Sequence, residues 1–399
     1  MTASPLAQAL GYSKFQAGAK PRMMVMKSKY FIVEDVVSIA RELDWAVQEL
    51  PTKLGEKGES SYIKSMLMAL VDFRPDFLLT INHIGFDSEG VLAGLLEDFG
   101  IPLASWFVDH PLPILAGAEA NARGTSQVFC FEKTALGWLE SIGFENPVHL
   151  PTASNPDTFY PSRVDIKRVA QLGSPVSLVA GSWWEKANTS FSPEVHQLAK
   201  EMSAKGPIDS QFLRNHMGAY LAQADDNART HCLAAQAALA ESSMRKRRDF
   251  VLALAEHSPV VNGDEHWSKL VQGVELRGPL HPTQDLPTVF GSSKVNLNVT
   301  AEQMPTAVNQ RVWDVPGTGG FLLTDAQDDV LENFTDGEDV AVYHSLDEAR
   351  DKLAYYLTHD AEREAIARKG LATVDAKHRT HHRLRQMEDV MRCRFGSGY

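Results

Sequence analysis

Cysteine is scarce in this chain. Cys130, Cys232 and Cys393 form an odd, scattered set with no C-x-x-C pair. This argues against a disulfide framework or a cysteine zinc site and fits a reducing, cytoplasmic compartment. No apolar run reaches membrane-spanning length. The opening "MTASPLAQALGYSKFQAGAK" lacks the charged start and continuous apolar centre of a secretory signal, so residues 1–20 read as a flexible leader. Positive charge is also in short supply. With 39 Lys and Arg against 51 Asp and Glu the net charge is -12, which disfavours general binding to nucleic acid or anionic membrane. Two basic patches stand against that background, "MRKRR" (Met244–Arg248) and "KHRTHHRLR" (Lys377–Arg385). Each can be a solvated helix end or a contact for an anionic ligand or partner. Repeats and low-complexity tracts are missing.

What is present is an ordinary globular composition, 44% hydrophobic and 23% charged, over 399 residues. That length exceeds a comfortable single core, so two domains are expected. From Pro21 short, continuous apolar runs alternate with helical patterns. "RMMVMKS" precedes a helix in which Val36, Ile39, Ala40 and Leu43 recur at helical spacing. "FLLTINH", a helix around Gly90–Phe99, "PLASWFVDHP", "SQVFCFE" and "PVHLPTAS" follow. Such runs suit parallel strands covered on both faces. The proline-rich "LPTASNPDTFYPSR" (Leu150–Arg163) reads as an inter-domain connection. After it the alternation restarts with "VSLVAG", "PVVNGD", "VELRGPL", "VNLNVT" and "GFLLTD", interrupted by an alanine-rich helical insertion, about 190–256. "SLDEARDKLAYYL" opens with Ser345 and Glu348 spaced as a capping box, with Leu346, Ala349, Leu353 and Leu357 on one face.

The expected architecture is therefore α/β: two facing Rossmann-like domains, 21–163 and 164–375, with a cleft between the carboxyl ends of their strands, where such sheets bind ligands. A terminal segment, 376–399, is expected to be a helix crossing back to the first domain. The pattern alone does not choose among folds of this kind.

The stretch "VNQRVWDVPGTGGFLLTD" (Val308–Asp325) concentrates the chemistry. Thr306 offers an N-cap for a helix from Ala307 that should stop near Asp314 or Val315, before Pro316. Arg311 and Asp314 share one face of it. "PGTGG" supplies a tight turn at which Gly319 and Gly320 let another group approach. A helix N-terminus suits a phosphate, Arg311 a diphosphate and Asp314 ribose hydroxyls. An Arg–Asp ion pair on a surface helix satisfies the same spacing.

A wider set of motifs narrows the choice. Gly278–Arg385 runs through "LNVT" (Leu297–Thr300), "RVWD" (Arg311–Asp314), "GGFLLTD", "FTDGED" (Phe334–Asp339), "YYL" (Tyr355–Leu357) and "HRTHHR" (His378–Arg383). In that order they resemble the glycosyltransferase module of the CgeB-type spore-maturation family. The N-terminal half resembles the domain often fused to it, through "PDFLLTINHIGFD" and "IPLASWFVDHP". The resemblance implies a GT-B fold and transfer of a sugar from a nucleotide-sugar, a UDP-sugar first. The acceptor would be a glycan, a protein such as flagellin, or another molecule. It also implies a donor site in the second domain, which takes in Asn298 of the "LNVT" strand.

Glycosyl transfer needs a stabilised leaving diphosphate and, for inversion, a base. No D-x-D triplet is present to hold a metal on the diphosphate, so no metal and no other cofactor is expected. Leaving-group charge then falls to Arg311, to backbone amides near Gly181-Ser182 or Gly319-Gly320, and to Lys186. For the base, Asp109 and His110 follow the strand "LASWFV", and His83 ends "FLLTIN". Asp109 also fits a turn cap, and either histidine a buried supporting group. Asp264 and His266 in "NGDEHW" end another strand and suit a base, a ribose contact or a loop cap. His378, His381 and His382 lack the partner residues of a metal site. A non-catalytic binder of nucleotide-sugar or glycan, and a nucleotide-sugar epimerase, remain alternatives.

Overall fold

A computed structural model describes residues 5–52, 59–189, 191–214 and 228–396. The chain divides into two compact units, Met1–Pro151 with Thr380–Tyr399, and Thr152–Arg379. The division falls at Pro151 rather than beyond Arg163. Phe159 stacks on Phe290, with ring centroids 6.1 Å apart, and Ser154 bridges to Arg379, which ties the proline-rich segment into the second unit.

In the first unit β1 (Arg22–Lys27), β2 (Ala46–Pro51), β3 (Phe77–Ile81), β4 (Leu103–Phe107), β5 (Ser126–Cys130) and β6 (Val148–His149) form one sheet in the order β2-β1-β3-β4-β5-β6. All five pairings are parallel. Alternation inside the apolar runs fills both faces. Met23 and Val25 enter one core with Phe77, Leu79 and Trp106, while Met24 and Met26 enter the other with Leu78 and Leu103.

Part of the stretch expected to be a leader is packed, around Leu10 and Phe15. A short helix, α1 (Pro5–Leu10), buries Leu10 completely, and Phe15 stacks on Phe77 at 5.8 Å. The Phe15 N–H donates to Asp76 at 2.6 Å. Helix α2 (Phe31–Glu42) presents Ile32, Val33, Val36, Val37, Ile39 and Ala40 inward and ends at Leu43, where Asp44 turns left-handed at φ 63°. A terminal helix, Thr380–Phe395, belongs to this unit and sets Leu384, Met387 and Met391 in the same core as α2.

The second unit holds β7 (Val176–Val179), β8 (Val260–Asn262), β9 (Glu275–Arg277), β10 (Val295–Leu297), β11 (Leu322–Asp325) and β12 (Ala341–Tyr343), all parallel. Their order, β12-β11-β10-β7-β8-β9, is that of a doubly wound dinucleotide-type sheet. Its order reverses between β7 and β10. In the first sheet the reversal lies between β1 and β3. These two points are where such sheets bind ligands.

The helical insertion contains α3 (Pro193–Ala204) and the long α4 (Ala228–Ala253); residues 215–227 of it lie outside the described residues. After β12 a helix (Leu346–Thr358) starts with half of the expected capping box: the Ser345 hydroxyl accepts from the Glu348 N–H, while the Glu348 carboxylate accepts from the His344 N–H, one residue before the N-cap. Ala349 and Leu353 are buried as expected, but Leu346 is exposed and Tyr356 is buried. Among the described residues no helix is long and apolar enough to cross a membrane.

Candidate functional site

At the β7/β10 reversal the chain leaves β10 through Asn298, which is wholly buried. Its amide donates to the Thr324 hydroxyl at 3.0 Å. Its carbonyl oxygen accepts from Asn309 Nδ2 at 2.8 Å and from Arg311 Nε at 3.3 Å. Two residues further, the Thr300 N–H and hydroxyl both donate to Asp325 at the end of β11, and Lys246 of α4 pairs with Asp325 and Glu302 at 3.4 Å each. The "LNVT" and "LLTD" motifs are thus two halves of one hydrogen-bonded knot, Asn298 to Thr324 and Thr300 to Asp325. It fixes the loop that aims Arg311.

Arg311 itself is half-buried and has no ion-pair partner among the described residues. Burial pushes its guanidinium down to about 10, against the pull of Asp314 and Asp325, so it stays charged at neutral pH. An unpaired fork of N–H donors at a sheet's reversal point is suited to a bidentate oxyanion such as a diphosphate.

Several expectations for this region need correction. The helix here, α5, spans Arg311–Gly317 after Gln310; it starts later than Ala307 and continues through Pro316. In so short a helix the proline forfeits little backbone bonding, and Val312, Trp313 and Val315 bury its inner face. Seven residues are too few to rely on a helix dipole. Asp314 is 3% exposed and accepts the Gln310 amide at 3.2 Å, so the structure gives it a buried partner rather than an open carboxylate. Gly319 and Gly320 precede β11 and so stand at the amino end of the sheet, away from the Asn298 loop. A Cβ at Gly320 would lie 2.4 Å from the Phe290 carbonyl, so this glycine serves close packing and not donor binding.

On the β7 side, Ser182 and Asp264 fasten two loops together. Ser182 donates its N–H and hydroxyl to Asp264, each at 2.6 Å, and the His266 N–H adds a third bond at 3.1 Å. Burial works against charge on Asp264, but these bonds outweigh it and hold the carboxyl below its usual range. A carboxylate so engaged is a poor proton acceptor and acts here as a loop fastener. Gly181 is exposed and lies against Asp264, which is 3.4 Å from the position of a Cβ there. Lys186 is exposed, with Nζ 4.4 Å from the Trp183 ring centroid.

At the reversal point of the first sheet, Asn82 and His83 both take left-handed backbone angles, φ 51° and 57°, unusual for two successive non-glycine residues. Asn82 accepts from the Val108 and Asp109 N–H groups and donates to Asp109 Oδ2 at 2.8 Å. The Tyr30 hydroxyl donates to the same oxygen at 2.9 Å. Asp109 Oδ1 has no partner among the described residues. His83 is 6% exposed, its Nδ1 2.9 Å from the Ser105 hydroxyl and its Nε2 buried without a partner; burial pushes its pKa down to about 4. His110 is also buried; its Nδ1 accepts from the Leu112 N–H, and burial lowers its pKa against the pull of Glu132. Of the residues expected to supply a base, only Asp109 keeps a carboxylate oxygen open.

Residues 245–389 match the family described as "Glycosyl transferase-like". Among solved structures, sucrose-phosphate synthase from Thermosynechococcus elongatus aligns over 94% of this chain and 99% of its own, with TM-score 0.58 and 10% identity. HepE from Anabaena, in complex with UDP and glucose, aligns over 94% and 100% with TM-score 0.56 and 10% identity. A UDP-forming trehalose-phosphate synthase from Burkholderia vietnamiensis aligns over 93% and 100% with TM-score 0.52 and 11% identity. The fold is GT-B. No curated protein sequence matches this one.

Two further residues join the sites. Tyr30, beside Asp109, carried no signal in its neighbourhood. Arg247, whose Nη1 donates to the Gly181 carbonyl at 2.6 Å, lies in the basic patch that reads equally well as a solvated helix end. Among the described residues no group of three or more His, Cys, Asp and Glu side chains could hold a metal ion. His378 instead stacks on Trp313 at 4.6 Å.

Proposed function

We propose that this chain transfers a sugar from a nucleotide-sugar, a UDP-sugar first, to an acceptor hydroxyl. The observation that carries the reading is Arg311, charged, oriented by Asn298 and without an ion pair among the described residues, at the reversal point of the second sheet. Structures with this fold supply support, since the HepE complexes hold UDP, glucose or UDP-glucose. The CgeB-type resemblance is the finer reading, supported by the fact that its motifs, Gly278–Arg385, fall within the matched residues 245–389.

In the reaction the bond from the sugar's anomeric carbon to the diphosphate breaks, and a bond to the acceptor oxygen forms. The diphosphate leaves with the electron pair and is stabilised by Arg311. For an inverting outcome Asp109 takes the acceptor proton on Oδ1, while Tyr30 and Asn82 hold Oδ2 in place. The donor site needs no metal in this reading, because fixed cations meet the diphosphate charge.

Incubating the protein with UDP-, GDP- and dTDP-sugars, with and without EDTA, tests it. Release of nucleoside diphosphate that survives the chelator supports the reading. Binding without turnover supports a non-catalytic binder, and a sugar isomer as product supports an epimerase. Activity lost in EDTA and restored by magnesium or manganese contradicts the metal-free part.

A further inference from the structure

Arg247 is 5% exposed, yet among the described residues it has no ion pair. Its neighbour on α4, Lys246, is committed to Glu302 and Asp325. Besides the bond from Nη1 to the Gly181 carbonyl, its guanidinium lies 5.6 Å from the ring centroid of Trp183. Lys186 sits against that same ring. Trp183 is held at φ 67°, a costly setting for a bulky residue, and the loop keeps it there. The Nε of Arg247 is buried with no hydrogen-bond partner among the described residues. A buried cation left so is expensive unless something else completes its surroundings.

The carboxylates nearest in charge do not supply the missing partner. Asp264 is engaged by Ser182 and His266, and Asp325 by Thr300 and Lys246. The other charge that bears on Arg247 is a second cation, Arg311. Burial first, and then the positive field of Arg311, push the Arg247 guanidinium down to about 9. Arg247 reaches from α4 to the Gly181 carbonyl after β7, and Arg311 is held by Asn298 after the adjacent strand β10, so the two guanidinium groups leave a gap in the charge balance that suits an anion.

We propose that Arg247 is the second arm of the donor clamp: Arg247 and Arg311 bind the same diphosphate, with the Trp183 ring holding Arg247 in place. The inference rests on the nucleotide-sugar reading and assigns to the alanine-rich insertion a direct part in donor binding. A dianionic group would relieve the repulsion between the two arginines and satisfy the orphaned Nε.

The test is a titration of uridine, UMP and UDP against wild type, Arg247→Gln, Arg247→Lys and Arg311→Ala, with the melting temperature of each ligand-free protein. The expected result is a loss of tenfold or more in UDP affinity for Arg247→Gln, with uridine affinity unchanged and a smaller loss for Arg247→Lys. Ligand-free melting should not fall, because an unpaired buried charge has been removed. A folded Arg247→Gln that binds UDP as wild type does, while Arg311→Ala loses it, overturns this inference and leaves the proposed function standing. Wild-type protein that binds no nucleoside diphosphate overturns both. Should Arg247→Gln not fold, Arg247→Lys decides: UDP affinity equal to wild type overturns the clamp, and a UDP-specific loss supports it.

Discussion

Asn298 Oδ1 lies 3.3 Å from Arg311 Nε, and the same oxygen accepts from Asn309 Nδ2 at 2.8 Å. A neutral amide thus orients the cation without neutralising it. A carboxylate here would fill the role of the ligand. Asn298→Ala should therefore lose UDP affinity along with stability, since Asn309 and Thr324 each lose a buried partner. The cost is on the order of 2 kcal/mol. Chemical denaturation of the ligand-free protein, with and without UDP, checks both. Unchanged stability would mean that the knot at the end of β10 is not under tension.

His83 should make the protein sensitive to acid. In the unfolded chain the ring binds a proton below about 6.5, whereas in the folded chain burial delays this to about 4. The folded state therefore holds fewer protons across that window. Its stability is intact above pH 6.5 and falls as the pH drops toward 4, by about 3 kcal/mol for this group. Urea unfolding at pH 7 and pH 4.5 measures the drop. His83→Phe, which suits the aromatic neighbours Phe86 and Phe107, should show a smaller one. An equal drop in the variant would show that His83 titrates normally.

Asp109→Asn should lower turnover by roughly 10²-fold, the scale of a lost general base, and leave donor affinity near wild type. Tyr30→Phe removes one bond to Oδ2 and should act in the same direction more weakly. If Asp109 served only to cap its turn, the variant would melt earlier and turn over normally. Measuring both quantities on each variant separates the outcomes.

Much of the fold was readable because parallel strands buried on both faces leave continuous apolar runs, as at Phe77–Ile81 and Leu103–Phe107. β2 escaped notice because Ala46–Pro51 is mostly half-exposed and carries Gln48 and Glu49. β12 was also missed, although at three residues it is no shorter than β8, β9 and β10. Arg311 was visible from its motif. Arg247 was not, since its role depends on a helix folding back against the loop after β7, a contact 66 residues apart in sequence. Gly319 and Gly320 were misjudged for a related reason. A glycine-rich turn looks the same at either end of a sheet, and only the packing against Phe290 tells which end it serves.

The central claim, that an unpaired arginine in the second unit binds the donor's diphosphate, is tested most directly by titrating UDP and uridine against wild type and Arg311→Ala. The account predicts that the variant loses on the order of 2 kcal/mol of UDP binding, the worth of a hydrogen bond to a charged group, while uridine binds both proteins alike. Equal UDP affinity in wild type and a folded Arg311→Ala would contradict it.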